Sequence, residues 1–165
     1  MMRYRGLLYR ALNPIRAREP LSGEGARLHG GRFNPKGMPA LYTSLSVMTA
    51  LREANRIGSL QPMTLVSYAA DIGPVFDAGD AAALAARGMS AEALAADDWR
   101  LAMQKTGLVP TQAFAARLMQ EGFAGLRVRS YAPGATEGSL NLVLWRWSGE
   151  PPAQLLLIDD EGRLA

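Results

Sequence analysis

Ser46-Val-Met-Thr-Ala-Leu-Arg-Glu-Ala-Asn-Arg-Ile-Gly58 and, shortly after, Met63-Thr-Leu-Val-Ser-Tyr-Ala-Ala-Asp-Ile72 place two hydrophobic periods side by side. In the first, Val47, Ala50, Leu51, Ala54 and Ile57 recur at helical spacing behind Ser46, a good N-cap, and Gly58 supplies the stop. In the second, Val66, Tyr68, Ala70 and Ile72 alternate, the period of a strand with one buried face. Working outward from this helix–strand pair, residues 7–12 read as a strand closed by Asn13-Pro14. Residues 13–31 carry two prolines and four glycines, which predicts a loop over a surface groove instead of a long helix. Residues 31–33 and 40–43 read as short strands joined by the turn Asn34-Pro35-Lys36-Gly37. Beyond Ile72, residues 78–107 are Ala-rich and helical, with a break near Gly88 and Ser90 capping a second piece. Pro110-Thr111 opens a further helix carrying Phe114, Leu118 and Met119, and Gly122 closes it. Residues 125–129, 140–147 and 154–159 are three more strands. Strands at both ends of the chain with helices between them predict an α+β protein. The expectation is a single domain over residues 1–165, with one or two curved, mostly antiparallel sheets flanked by helices.

Charge and composition narrow the function. Residues 1–40 hold eight Arg or Lys against two Glu, while the remainder holds ten against thirteen Asp or Glu. The basic part coincides with the Gly-rich stretch; a solubilising surface is the ordinary explanation, and a site for an anionic ligand, phosphates above all, is the sharper one. With no cysteine and one histidine, His29, neither a disulfide framework nor a Cys- or multi-His metal site is available, so no metal is expected. The start of the chain lacks the apolar run of a signal peptide and no stretch is long enough to span a membrane, so a cytoplasmic location is expected.

Four places carry polar groups worth weighing. Gly30-Gly31-Arg32-Phe33-Asn34-Pro35-Lys36-Gly37 joins a flexible backbone to two cations, as phosphate sites do. It is no Walker loop, because the Gly-Lys-Ser/Thr ending is missing, and Gly23-Glu24-Gly25 does not continue into a dinucleotide fingerprint, since position 28 is Leu. Tyr42 lies at a strand end, Glu53 in a helix of otherwise small and apolar residues, and Ser139 and Asn141 share one face leading into the strand at 142–144. Each alone has an ordinary structural explanation: a glycine-rich hairpin, rim packing, a surface ion pair with a neighbouring arginine, a strand start.

Together they resemble the RES domain, a family named for an arginine, a glutamate and a serine. The resemblance runs from about Tyr9 to Trp145. It is strongest from Gly25-Ala-Arg-Leu-His-Gly-Gly-Arg-Phe-Asn-Pro-Lys-Gly37 through Leu-Tyr-Thr-Ser44 to Ala-Leu-Arg-Glu53. It places Arg32, Tyr42 and Glu53 at the family's arginine, tyrosine and glutamate and Ser139 at its serine, with Arg10 and Asn141 in matching neighbourhoods. Where many members have a histidine shortly after the glutamate, this chain has Asn55, Arg56 and Ile57, and no such role is carried over. Residues 75–120 match nothing recognisable.

The resemblance implies an ADP-ribosyltransferase-like fold and the toxin of a bacterial toxin–antitoxin pair that arrests growth. NAD would be the co-substrate, and the partner an antitoxin with a helix-turn-helix, Xre-like domain. ADP-ribose would pass to a cellular protein, or, in the alternative, to water or phosphate, which makes the protein an NAD glycohydrolase or phosphorylase. Splitting the nicotinamide–ribose bond leaves an oxocarbenium-like ribose, which a carboxylate such as Glu53 can stabilise through a ribose hydroxyl. An arginine fork at Arg32 suits the pyrophosphate, and the face of Tyr42 suits the cationic nicotinamide ring. Ser139, with support from Asn141 and Arg10, would orient nicotinamide or ribose. A non-catalytic nucleic-acid-binding domain is the rival class, given a pI near 9.6. The scattered arginines, the modest net charge and the absence of a recognition motif weigh against direct nucleic-acid binding. A degenerate domain serving only as a partner module is disfavoured by the joint presence of Arg32, Tyr42, Glu53 and Ser139.

Overall fold

The computed structural model describes residues 2–55 and 60–164. Among them, six strands build one sheet: β1 (Met2–Leu12), β2 (Leu41–Ser44), β3 (Thr64–Asp77), β4 (Gly125–Arg129), β5 (Leu140–Leu144) and β6 (Ala153–Leu157). Their order is β1-β2-β5-β4-β3-β6, and β1 also pairs with β3. Five strands therefore close into a barrel, with β6 attached to β3. All neighbours are antiparallel except β3 and β4, so the sheet is mixed. The helices are α1 (Glu24–His29), α2 (Val47–Ala54), α3 (Ala81–Ala85), α4 (Ala91–Ala95), α5 (Trp99–Lys105) and α6 (Pro110–Gln120). The α+β class read from the sequence holds.

Closure depends on the length of β3. Its first part pairs with β1, Tyr68 opposite Leu8, and its end turns to β4, Val75 opposite Gly125. The alternation read from the sequence ends at Ile72, just before Gly73-Pro74, yet Val75 and Phe76 beyond that pair are buried, and the strand continues through them. Alternation then sends successive side chains to two cores. Leu142 and Leu144 join Leu8, Leu41, Tyr68 and Ile72 inside the barrel. Val143, between them, faces outward to a second core with Leu126, Phe76, Phe114 and Trp145. That outer core seats α3, α4 and α6, with Phe76 edge-on to Phe114 and Phe123.

Two expectations fail for legible reasons. Residues 31–33 do not form a strand; a tight turn bridges Gly31 and Asn34 instead. The Gly31 N–H donates to the Asn34 carbonyl, and the buried Asn34 side chain donates to the carbonyls of Ala26 and Met38, so the segment closes on itself instead of extending along a neighbouring strand. The Ala-rich region breaks twice, once near Gly88 and again between α4 and α5, where backbone carbonyls turn to Arg32. Residues 13–31 also hold a 3-10 turn at Pro14–Arg16 and one short α-helix, α1, within the expected loop. Ser46 caps α2 by accepting from the Thr49 N–H at 3.1 Å. The predicted stop at Ile57 and Gly58 lies outside the described residues. Among the described residues no helix is long and apolar enough to cross a membrane.

Candidate active site

A cavity of about 400 Å³ lies on the outer face of the sheet, floored by β1, β2, β5 and β4 and walled by α2 and the start of α5. Arg10, Arg32, Tyr42, Glu53 and Asn141 all line it, together with Arg100 and Arg129. Sequence reasoning missed these last two arginines, because neither sits in a motif and only the fold brings them to the N-terminal basic segment. Four arginines and one glutamate among the lining residues give the cavity an excess of positive charge, which can attract an anion.

Tyr42 alternates with the inward-facing Leu41 and Thr43, so its ring opens to the cavity while its hydroxyl is buried. That hydroxyl donates to Asn34 Oδ1 at 2.5 Å and accepts from the Phe33 N–H at 3.1 Å. Burial pushes the phenol's pKa far up, so Tyr42 is a neutral, anchored ring and not a base. Asn34 was legible only as a turn residue. It is wholly buried, and its Nδ2 also donates to the carbonyls of Ala26 and Met38, tying the Gly-rich loop to Tyr42. Gly31 completes this arrangement, since a Cβ there would collide with the Tyr42 hydroxyl. Gly31→Ala is therefore expected to cost about 1–3 kcal/mol of stability, the usual toll of overpacking, read by denaturant unfolding.

Buried phenols also set an alkaline limit. Burial raises the pKa of Tyr42, Tyr68, Tyr131 and Tyr4 in the folded chain. Above pH about 10 the unfolded chain sheds phenolic protons that the folded chain keeps, so stability present below that pH is lost as pH rises. A falling Tm above pH about 10, less steep in Tyr42→Phe, is the expected result.

Arg32 is 6 % exposed and its guanidinium is occupied from within. One terminal nitrogen donates to the carbonyls of Leu94 (3.0 Å) and Ala96 (2.7 Å) and the other to Asp97 (3.2 Å), while Cζ lies over the Tyr131 ring, 4.8 Å from its centre. Tyr131, with Val128 and Arg129, lines both this cavity and a second one of about 870 Å³. Arg10 donates to the Pro20 carbonyl at 3.0 Å.

Glu53 projects from α2, and its Oε2 accepts from Ser130 Oγ at 2.8 Å and from Asn141 Nδ2. Ser139 takes no part in this. Its Oγ accepts from the Thr136 N–H at 3.1 Å, closing a turn, and it does not line the cavity. β5 begins only at Leu140, so the alternation that would set Ser139 beside Asn141 stops one residue short of it. The serine that reaches the glutamate is the fully buried Ser130, just beyond β4. Among the described residues no cluster of His, Cys, Asp or Glu could hold a metal ion.

The closed α+β barrel thus carries one anchored carboxylate, one anchored aromatic face and an arginine-lined cavity. The RES domain family matches residues 7–165, and the chain belongs to that family. No curated protein matches the sequence.

Proposed function

We propose that the protein is an NAD-consuming toxin that cleaves the nicotinamide–ribose bond and transfers ADP-ribose to a cellular protein. The observation that carries this reading is the Glu53 carboxylate, held by Ser130 and Asn141 on the wall of the arginine-lined cavity. Nicotinamide is a neutral leaving group, so the reaction needs no strong acid; it needs stabilisation of a positive ribose at the barrier. Glu53, accepting from a ribose hydroxyl, supplies negative charge where positive charge develops. The exposed face of Tyr42 stacks on the cationic nicotinamide and loses part of that attraction once the ring departs neutral. The pyrophosphate meets Arg10, Arg100 and Arg129, while Arg32 holds the segment Leu94–Asp97 that leads into α5. The reading extends to an ADP-ribosyltransferase-like fold, to growth arrest on expression, and to a helix-turn-helix antitoxin that covers the basic cavity.

Incubation with NAD labelled in the adenylate half, with and without cell lysate, tests the reaction. Label on a protein band is the expected result. Free ADP-ribose, or ADP-ribose phosphate, without protein label would assign hydrolysis or phosphorolysis instead. Intact NAD in every arm would overturn the reading.

A further inference from the structure

We infer that Ser44 is a positioning residue for Glu53, acting through Asn141; the inference rests on Glu53 being the catalytic carboxylate. Ser44 ends β2 directly opposite Asn141 of β5. It is 3 % exposed, and its Oγ donates to Asn141 Oδ1 at 2.7 Å. Asn141 has one acceptor end and one donor end, and here each is used: Oδ1 receives Ser44, Nδ2 serves Glu53 Oε2. The chain therefore runs in one direction, from hydroxyl to amide to carboxylate, and each bond polarises the next. Ser130 donates to the same carboxylate oxygen from the other strand. Glu53 is thus aimed by two neighbouring strands of a rigid barrel, and Ser44 is the far anchor of one of them.

Removing the Ser44 hydroxyl leaves Asn141 Oδ1 without that donor and frees the amide to turn away from Glu53. The carboxylate then keeps Ser130 but loses a fixed orientation, which affects the barrier more than the binding of NAD. Ser44→Ala is expected to lower kcat about tenfold, the equivalent of one modest hydrogen bond, with KM for NAD changed less than about twofold. Ser44→Thr, which keeps the hydroxyl, is expected to restore most of the rate. The decisive measurement is a cycle with Asn141→Ala: because Ser44 works through Asn141, adding Ser44→Ala in that background should change kcat no further. A second readout needs no turnover. In protein labelled with 15N-asparagine, the Asn141 side-chain amide should be protected from solvent exchange in the wild type and Ser44→Thr and unprotected in Ser44→Ala. An unchanged kcat in Ser44→Ala, an undiminished effect in the Asn141→Ala background, or a protected amide in Ser44→Ala would each overturn the inference. If the wild-type protein leaves NAD intact, the functional reading fails separately, and the amide exchange alone decides whether Ser44 holds Asn141.

Discussion

Glu53→Gln is expected to lower the rate of nicotinamide release by about two orders of magnitude or more, the usual loss when a preorganised electrostatic group is removed. Its shape and one acceptor oxygen remain, so the contacts from Ser130 and Asn141 can persist. What disappears is the negative charge. In ground-state NAD the adjoining ribose is neutral and gains little from that charge; at the barrier it is cationic and gains most. NAD affinity should therefore change far less than the rate, a separation that dissociation constants and single-turnover measurements resolve. A Glu53 that served only to pair with a neighbour would yield a small stability change and ordinary turnover. A folded Glu53→Gln protein cleaving NAD at the wild-type rate would remove the mechanism.

What the sequence discloses and what it conceals follow from range. The helix behind Ser46 and the strand through Tyr68 are written in local periods, and both start within a residue of where those periods place them. The closure of the barrel is not local: it arises because β3 outruns the alternation that ends at Ile72 and because β1 can reach it across more than fifty residues of chain. The site divides in the same way. Tyr42 and Glu53 are legible from a family pattern compact in sequence. Ser139 reads as a site residue because it stands two residues before Asn141, on what would be the same strand face, while Ser130 carries no local signal. Only the onset of β5 at Leu140 shows that the face does not extend that far. Asn34 was hidden by its neighbour, since Asn-Pro is a common turn signal whatever the side chain does. Arg100 and Arg129 carry no local signal at all, being single cations whose relevance is created by packing.

Arg32→Ala is expected to damage stability and ligand binding together, because its partners are structural. Truncation strands the carbonyls of Leu94 and Ala96, both now receiving a charged donor, and removes the cation from the face of Tyr131. The exposed Asp97 adds little, since an ion pair with one partner in water is largely screened. Losing a buried charged donor costs about 2–4 kcal/mol, which for a chain of this size lowers Tm by roughly 5–15 °C. The freed segment leads directly into α5, whose first residues Trp99 and Arg100 line the cavity, so affinity for ADP-ribose and turnover should both fall. Arg32→Lys should rescue little, because a single ammonium cannot bridge the two carbonyls and Asp97 from a position over the Tyr131 ring. Thermal melts and ADP-ribose titrations of the two variants separate an arginine that holds this segment from a phosphate ligand. Wild-type Tm combined with lost ADP-ribose binding would show that Arg32 exchanges its carbonyl partners for the pyrophosphate, and would return the anion-binding role to it.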